Sequence, residues 1–148
     1  MPRIERSAEV VWEGNLARGE GRITAGTGAF EALPYSLPTR IGQAEGKTSP
    51  EELLAAAHAG CIGMSLVGEL TGAGTPPGRV TVDCTVVMDE VEGEGHQIVA
   101  SQVTMRVQAD GVDADALAGA VERADAGCPF STLLRKAGAD VRVDTTPA

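Results

Sequence analysis

The sequence predicts an α+β fold, because strand-like and helix-like segments follow one another in blocks along its 148 residues. Short strands come first, then one long helix, a strand hairpin, two helices and a final strand. The long helix has Ala and Gly on several sides, and such a helix is hard to bury inside so small a monomer. The sequence therefore predicts a single domain over residues 1–148 in which a second subunit packs against the long helix.

The N-terminal segment predicts three short strands. Residues 8–13 alternate weakly between apolar and polar side chains, and Gly14-Asn15 can turn the chain into a second strand near residues 21–25. Residues 35–37 are suited to a third strand, which leads through Pro38-Thr39-Arg40 into a polar loop.

The long helix is predicted to run from Pro50 to about Leu70. Ser49 is a suitable N-cap, and Pro50 fits the first helical position. Glu52 can return a hydrogen bond to the Ser49 amide, as in a capping box. Gly72 and Gly74 then end the helix.

A hairpin follows the long helix. Apolar side chains alternate over residues 80–88, which predicts a strand with Cys84 as a core residue on its apolar face. Residues 92–96 close the hairpin into a partner strand over residues 98–108.

Two helices and a strand complete the chain. Asp113 can cap a helix over residues 114–126, and Gly127 stops it. Cys128 lies where a shorter helix begins, because Pro129 suits a first helical position. Residues 141–143 suggest the last strand.

Composition narrows the function classes. The net charge of −9 argues against nucleic-acid and anionic-membrane partners, because phosphate binding needs clustered Lys and Arg. We find no N-terminal signal peptide and no stretch long enough to span a bilayer, so we expect a cytoplasmic protein. Three cysteines do not make a secreted disulfide framework, and no clustered ligand spacing suggests a metal site.

Two cysteine motifs make the chain recognisable. Residues 46–61 read GKTSPEELLAAAHAGC, and 67 positions after Cys61 comes Cys128 within AGCPFS. Together with VWEGNL at residues 11–16, these motifs resemble the OsmC/Ohr family of thiol peroxidases, and the OsmC branch most closely. The resemblance covers nearly the whole chain. It implies an intertwined homodimer, with two long central helices wrapped by antiparallel sheets and active sites at the subunit interface.

The resemblance also implies a mechanism. Cys61 would attack an organic hydroperoxide and become a sulfenic acid, and Cys128 would resolve that acid as a disulfide. An external dithiol, such as a lipoyl group carried on a protein, would reduce the disulfide, and no bound cofactor is implied. An unperturbed thiol is only about 3% thiolate at pH 7, so Cys61 needs a positive partner.

Two arginines are candidates for that partner. The OsmC branch has a Thr-Arg pair after the third strand, which corresponds to Thr39-Arg40, and the Ohr branch has its arginine nearer to Arg18. We favour Arg40, and Glu51 matches the family carboxylate that orients the arginine. Ten residues of helix separate Glu51 from Cys61 by ~15 Å along the axis. We therefore expect Glu51 and Arg40 to reach Cys61 from the partner subunit.

Some features leave alternatives open. His58 is either a general base or, as we favour, a packing histidine with one hydrogen bond. Leu37 and Ile62 stand where the family tends to have Phe, which changes the lining of the pocket. The apolar surroundings of Cys61 favour alkyl hydroperoxides over hydrogen peroxide. The rival functions are a ligand-binding stress protein without turnover and a thiol–disulfide relay or redox sensor.

Overall fold

The computed structural model describes residues 2–147, and the chain divides into two units. The first unit is Met1–Pro50 and the second is Glu51–Ala148. Each unit contains a three-stranded sheet, so the α+β class expected from the sequence is confirmed. The prediction that the whole chain forms a single domain stays a prediction.

The first unit is a small antiparallel sheet followed by one helical turn. Its strand order is β1-β2-β3, and both pairings are antiparallel. The elements are β1 (Ala8–Glu13), β2 (Glu20–Ala25), β3 (Leu33–Tyr35) and the short helix α1 (Leu37–Ile41).

An aromatic pair packs on this sheet. The rings of Trp12 and Tyr35 meet edge to face with centroids 5.6 Å apart, an arrangement that aromatic quadrupoles favour. Gly21 lies between them, and a side chain there would collide with the Tyr35 ring. The lone Trp and Tyr of the chain thus stabilise the sheet of the first unit.

The prediction for residues 35–37 was wrong in part, because the third strand ends at Tyr35. Ser36 is instead the N-cap of α1, and its hydroxyl accepts a hydrogen bond from the Thr39 amide at 3.3 Å. Pro38 lies in the first turn, where its missing N–H costs nothing. Arg40 consequently lies in the last turn of a helix rather than in a loop.

The second unit contains the long helix and the larger sheet. The helix α2 begins at Pro50 as predicted and continues to Gly72. The remaining elements are β4 (Arg79–Val91), β5 (Gly95–Gln108), α3 (Ala114–Gly127), α4 (Pro129–Lys136) and β6 (Asp140–Pro147). Asp113 caps α3 by accepting from the Ala116 amide at 2.8 Å, which confirms that prediction. The Ser49 cap of α2 stays a prediction.

The core of the second unit is built on one narrow stripe of α2. The buried residues of the helix recur every four positions, which is the spacing of one helical face. They are His58, Ile62, Leu66 and Leu70. The small Gly63 brings α2 close to the sheet, because an added Cβ there would lie 3.1 Å from Val82 Cγ2. Val103, Met105 and Val107 of β5 complete the core opposite the helices.

The larger sheet is mixed rather than wholly antiparallel. β4 and β5 form the predicted antiparallel hairpin, with a register shift between Val87 and Met88. β6 pairs parallel to β5, from Ala100↔Asp140 onwards. A parallel pair needs a long crossover, and α3 and α4 supply it between the two strands.

The helix α2 corrects one expectation about membranes. With 23 residues and a mean hydropathy of 1.5 over its most apolar window, it is long and apolar enough to cross a bilayer. The core helix of a soluble protein passes the same test, and α2 has a fully buried histidine, His58, in its core stripe.

Candidate active site

Cys61 lies on α2 beside the buried stripe. Its thiol is half-buried and packs against the core next to Ile62, which is completely buried. Gly60, Gly63 and Ser65 surround it along the helix, so little side-chain bulk stands next to the sulfur. The helix thus holds a thiol at the border between core and surface.

Cys128 occupies the corner between α3 and α4. It ends α3 and is the N-cap of α4, and Pro129 follows in the first helical turn as predicted. Its side chain is completely buried and makes no capping hydrogen bond. The corner therefore directs the Cys128 thiol into the protein, where it is a hydrogen-bond partner of Cys61. Both thiols are free.

The start of α4 also acts on Cys61. The backbone amide of Phe130 donates a hydrogen bond to the Cys61 sulfur, which lowers the pKa of that thiol. Cys128 is the residue at the start of α4, yet this amide of the first helical turn binds the other sulfur of the pair.

The second unit by itself does not activate Cys61. Burial is the largest influence and raises the pKa of this thiol, and the neighbouring Cys128 raises it further. The Phe130 amide offsets these effects only in part. A raised pKa leaves less thiolate at neutral pH, so Cys61 requires a cation to become a good nucleophile.

His58 forms a buried polar cluster behind the thiol pair. Its Nδ1 lies 2.7 Å from the Ser101 hydroxyl on β5, and its Nε2 lies 2.8 Å from the Ser131 hydroxyl on α4. Burial lowers the pKa of His58, so the ring is neutral at physiological pH. As expected of the packing histidine we favoured, it is buried, but it has two short hydrogen bonds instead of one and also lies 3.9 Å from Cys84 Sγ. Neither serine was foreseen, because they lie 43 and 73 positions away in the sequence.

An ion pair fixes the α3–α4 corner on its other side. Arg135 of α4 binds both carboxylate oxygens of Asp125 on α3, at 3.1 and 2.6 Å. The Asp125 carboxylate raises the pKa of Arg135. This paired geometry is the strong form of a charged hydrogen bond and helps to hold the segment that contains Cys128.

The other predicted site residues, Glu51, Arg40 and Arg18, precede the thiol pair in the sequence by ten residues or more. Glu51 is in the first turn of α2, which continues unbroken past Cys61, so about 15 Å of helix axis separates them. Arg40 is exposed on α1, and Arg18 lies in the turn between β1 and β2, both in the first unit. The choice between these two arginines stays a prediction.

A profile of the OsmC-like protein family matches residues 42–144, a span that includes both Cys61 and Cys128. The chain belongs to the OsmC-like family. The resemblance recognised in the sequence is therefore confirmed.

Relatives of this OsmC-like chain have been named for their action on peroxides. This chain is 35% identical over 132 residues to Peroxiredoxin OsmC of Escherichia coli (strain K12). The matched residues cover 89% of this chain and 91% of the relative. The chain is 34% identical over 122 residues to an organic hydroperoxide resistance protein of Xanthomonas axonopodis pv. citri, covering 78% and 80% of the two chains.

Solved structures agree with the OsmC/Ohr fold. The organic hydroperoxide resistance protein OhrB of Bacillus subtilis superposes with a TM-score of 0.70 at 25% identity, over 95% of this chain and 98% of the other. An organic hydroperoxide resistance protein from Elizabethkingia anophelis gives a TM-score of 0.79 at 21% identity, over the whole of both chains. The second likeness concerns the fold alone.

The second unit also has a groove outside the thiol pair. It has a volume of about 790 Å³ and is lined mainly by the turn before β4, the end of β5 and the start of α3, including Pro76, Gln108 and Leu117. Neither thiol lines this groove.

Within residues 2–147, no group of three His, Cys, Asp or Glu side chains is placed to hold a metal ion. The thiol pair is the candidate active site.

Proposed function

We propose that this OsmC-like chain is a thiol peroxidase that reduces organic hydroperoxides to alcohols. The observation that carries the proposal is the contact between Cys61, at the border of the core, and the buried Cys128. A half-buried thiol beside a second thiol can pass through a sulfenic acid to a disulfide without a large movement. The names of the relatives from Escherichia coli and Xanthomonas support the same activity.

The chemistry proceeds in three balanced steps. The Cys61 thiolate attacks the terminal peroxide oxygen, so an S–O bond forms, the O–O bond breaks and the alkoxide takes a proton to leave as alcohol. The Cys128 sulfur then attacks the Cys61 sulfenic acid, forming the S–S bond and releasing water. An external dithiol reduces this disulfide by exchange and restores both thiols.

Arg40 supplies the positive charge in this proposal. Because burial raises the pKa of Cys61, the guanidinium is needed to stabilise the thiolate and then the departing alkoxide. Glu51 orients the guanidinium. The unbroken helix between Glu51 and Cys61 supports an arrangement in which Glu51 and Arg40 come from the partner subunit.

A homodimer is part of the proposal. One face of α2 presents apolar side chains to solvent, with Met64 79% and Val67 40% exposed. Gly60 is exposed on the same face, where a second helix could approach closely. A second copy of α2 would cover this face and bring the partner subunit to Cys61.

We infer that alkyl hydroperoxides are better substrates than hydrogen peroxide, because the neighbours of Cys61 on the core side are apolar. The reductant is a small or protein-borne dithiol of the lipoyl type. A cytoplasmic location fits three free thiols, which a reducing compartment keeps in that state.

A steady-state assay tests the proposal. The protein is supplied with dihydrolipoamide, and the consumption of cumene hydroperoxide and of hydrogen peroxide is followed separately. We expect kcat/KM for cumene hydroperoxide to exceed that for hydrogen peroxide by at least about tenfold, and the Cys61→Ser variant to be inactive with both. If wild-type protein consumes neither peroxide yet exchanges disulfides with protein partners, a redox relay is the correct function instead.

A further inference from the structure

The buried cluster around His58 joins four elements of the second unit. The hydrogen bonds run from Ser131 on α4 to His58 on α2, and from His58 to Ser101 on β5. The Ser101 hydroxyl also lies 3.4 Å from Cys84 Sγ on β4. His58, Ser101 and Ser131 are each completely buried, so these contacts are shielded from competition by water.

One arrangement of protons satisfies the whole cluster. A neutral imidazole donates from one nitrogen and accepts at the other. Every proton finds an acceptor when Ser131 donates to His58 Nε2, Nδ1–H donates to Ser101, and Ser101 donates to Cys84 Sγ. Donation from Ser101 also agrees with the pKa of Cys84, which this hydrogen bond lowers against the larger effect of burial.

The His58–Ser131 pair has the same three-residue spacing from the thiols on both segments. His58 precedes Cys61 by three residues on α2, and Ser131 follows Cys128 by three residues at the start of α4. Three residues make nearly one helical turn, so each pair lies along one helix side. The contact between His58 and Ser131 and the contact between the two thiols are therefore parallel bridges between the same two segments.

We propose that His58 is a positioning residue, which holds the Cys128 thiol against the Cys61 sulfur through its hydrogen bond to Ser131. The inference rests on the proposed function in taking Cys128 as the resolving thiol. On this side the first turn of α4 is held by the His58–Ser131 hydrogen bond and by the Phe130 amide at the Cys61 sulfur. An attack between two sulfurs depends steeply on their alignment. Loss of the His58–Ser131 bond thus slows resolution more than it slows attack by Cys61.

The test separates the two sulfur reactions without using peroxide. Protein with Cys84→Ala, which removes the third thiol, is mixed with Ellman's reagent. Attack by Cys61 releases a first thionitrobenzoate and leaves a mixed disulfide on Cys61. The Cys128 sulfur then forms the S–S bond to Cys61, breaks the bond to the reagent and releases a second thionitrobenzoate.

Two serine variants form a matched pair in this background. Ser131→Ala removes the His58 bond that leads to α4, and Ser101→Ala removes an equally buried His58 bond that leads to the sheet. We expect Ser131→Ala to slow the second release of thionitrobenzoate about tenfold or more relative to the Cys84→Ala background. The rate of the first release should stay within about threefold of that background. Ser101→Ala leaves both within about threefold.

The outcomes are distinct. A second release in Ser131→Ala at the wild-type rate, or an equal slowing in Ser101→Ala, overturns the positioning role. In parallel, each protein receives one equivalent of cumene hydroperoxide. If wild type does not react with the peroxide while Ser131→Ala slows the second release, the proposed peroxidase function fails and the positioning role stands.

Discussion

Cys61 and Cys84 are alike in exposure and different in surroundings. Both are half-buried free thiols of the second unit, both pack against its core, and burial raises the pKa of both. Cys84 lies in the middle of β4, opposite Val103 of β5, and its sulfur lies 3.4 Å from the Ser101 hydroxyl and 3.9 Å from His58 Nδ1. The Cys61 sulfur instead meets the Cys128 thiol and the backbone amide of Phe130.

The comparison shows that burial does not distinguish a reactive cysteine from a structural one here. The second unit alone makes neither thiol a strong nucleophile, because burial disfavours the thiolate form of both. What separates them is the partner that each sulfur meets. A second sulfur permits a disulfide, whereas a serine hydroxyl only satisfies a buried polar atom.

The largest expected effect is the loss of activity when the Cys61 sulfur is replaced by oxygen, and the same exchange at Cys84 is its control. Cys61→Ser should lower the rate of cumene hydroperoxide consumption by about a thousandfold or more, because the nucleophile is lost. Cys84→Ser should leave the rate within about twofold, since we assign this thiol no part in the chemistry. Initial rates with excess dithiol measure both, and equal losses in the two variants would remove the distinction between these thiols.

The next effect concerns the cation. Arg40→Met should lower kcat/KM at pH 7 by about a hundredfold, because the thiolate and the leaving oxygen lose their positive partner. Since burial raises the pKa of Cys61, the remaining rate should increase about tenfold per pH unit above pH 7 until that pKa is reached.

Arg18→Met is the matched control for the arginine prediction. It should leave both the rate at pH 7 and the pH profile within about twofold of wild type. A large loss in Arg18→Met with none in Arg40→Met would assign the active-site role to Arg18. A pH below 7 should slow Arg40→Met further, because protonation removes its remaining thiolate.

A smaller loss of turnover is expected when the partner sulfur is removed. Cys128→Ser should keep the first peroxide reaction and lower steady-state turnover by about tenfold, since the sulfenic acid must wait for the external dithiol. With excess peroxide, a sulfinic acid should accumulate on Cys61, and mass spectrometry detects the two added oxygens. Undiminished turnover without over-oxidation would show that Cys128 does not resolve the acid.

The smallest effect tests the corner that contains Cys128. Asp125→Asn removes the paired hydrogen bonds to Arg135 and should lower the free energy of unfolding by about 1 kcal/mol. Asp140→Asn, which removes a more exposed pair with Arg142, should cost under about 0.5 kcal/mol. Urea denaturation measures both, and equal values would mean that the corner gains no more from its ion pair than the exposed pair contributes.

Local signals in the sequence were enough to place the thiols on their elements. Pro50 begins α2 and Pro129 begins α4, because a proline fits the first turn of a helix and little else in a regular element. The Asp113 cap and the β4–β5 hairpin followed from equally local patterns. The same rule, applied to Ser36 and Pro38, would have predicted α1 instead of a strand over residues 35–37.

The features that sequence reasoning missed depend on contacts between distant segments. Ser101 and Ser131 are ordinary serines in the sequence and become partners of His58 only when β5 and α4 pack on α2. The parallel pairing of β6 depends on the course of the chain through α3 and α4. No local pattern around Cys61 reveals that the Phe130 amide reaches its sulfur.

The most direct measurement of the central claim is peptide mapping by mass spectrometry after one equivalent of cumene hydroperoxide. The reduced protein is mixed with the peroxide, free thiols are then alkylated, and the digest is searched for linked peptides. Our account predicts a loss of two hydrogens, a Cys61–Cys128 linkage and a fully alkylated Cys84. A linkage that includes Cys84, or a protein that stays reduced for minutes, would contradict it.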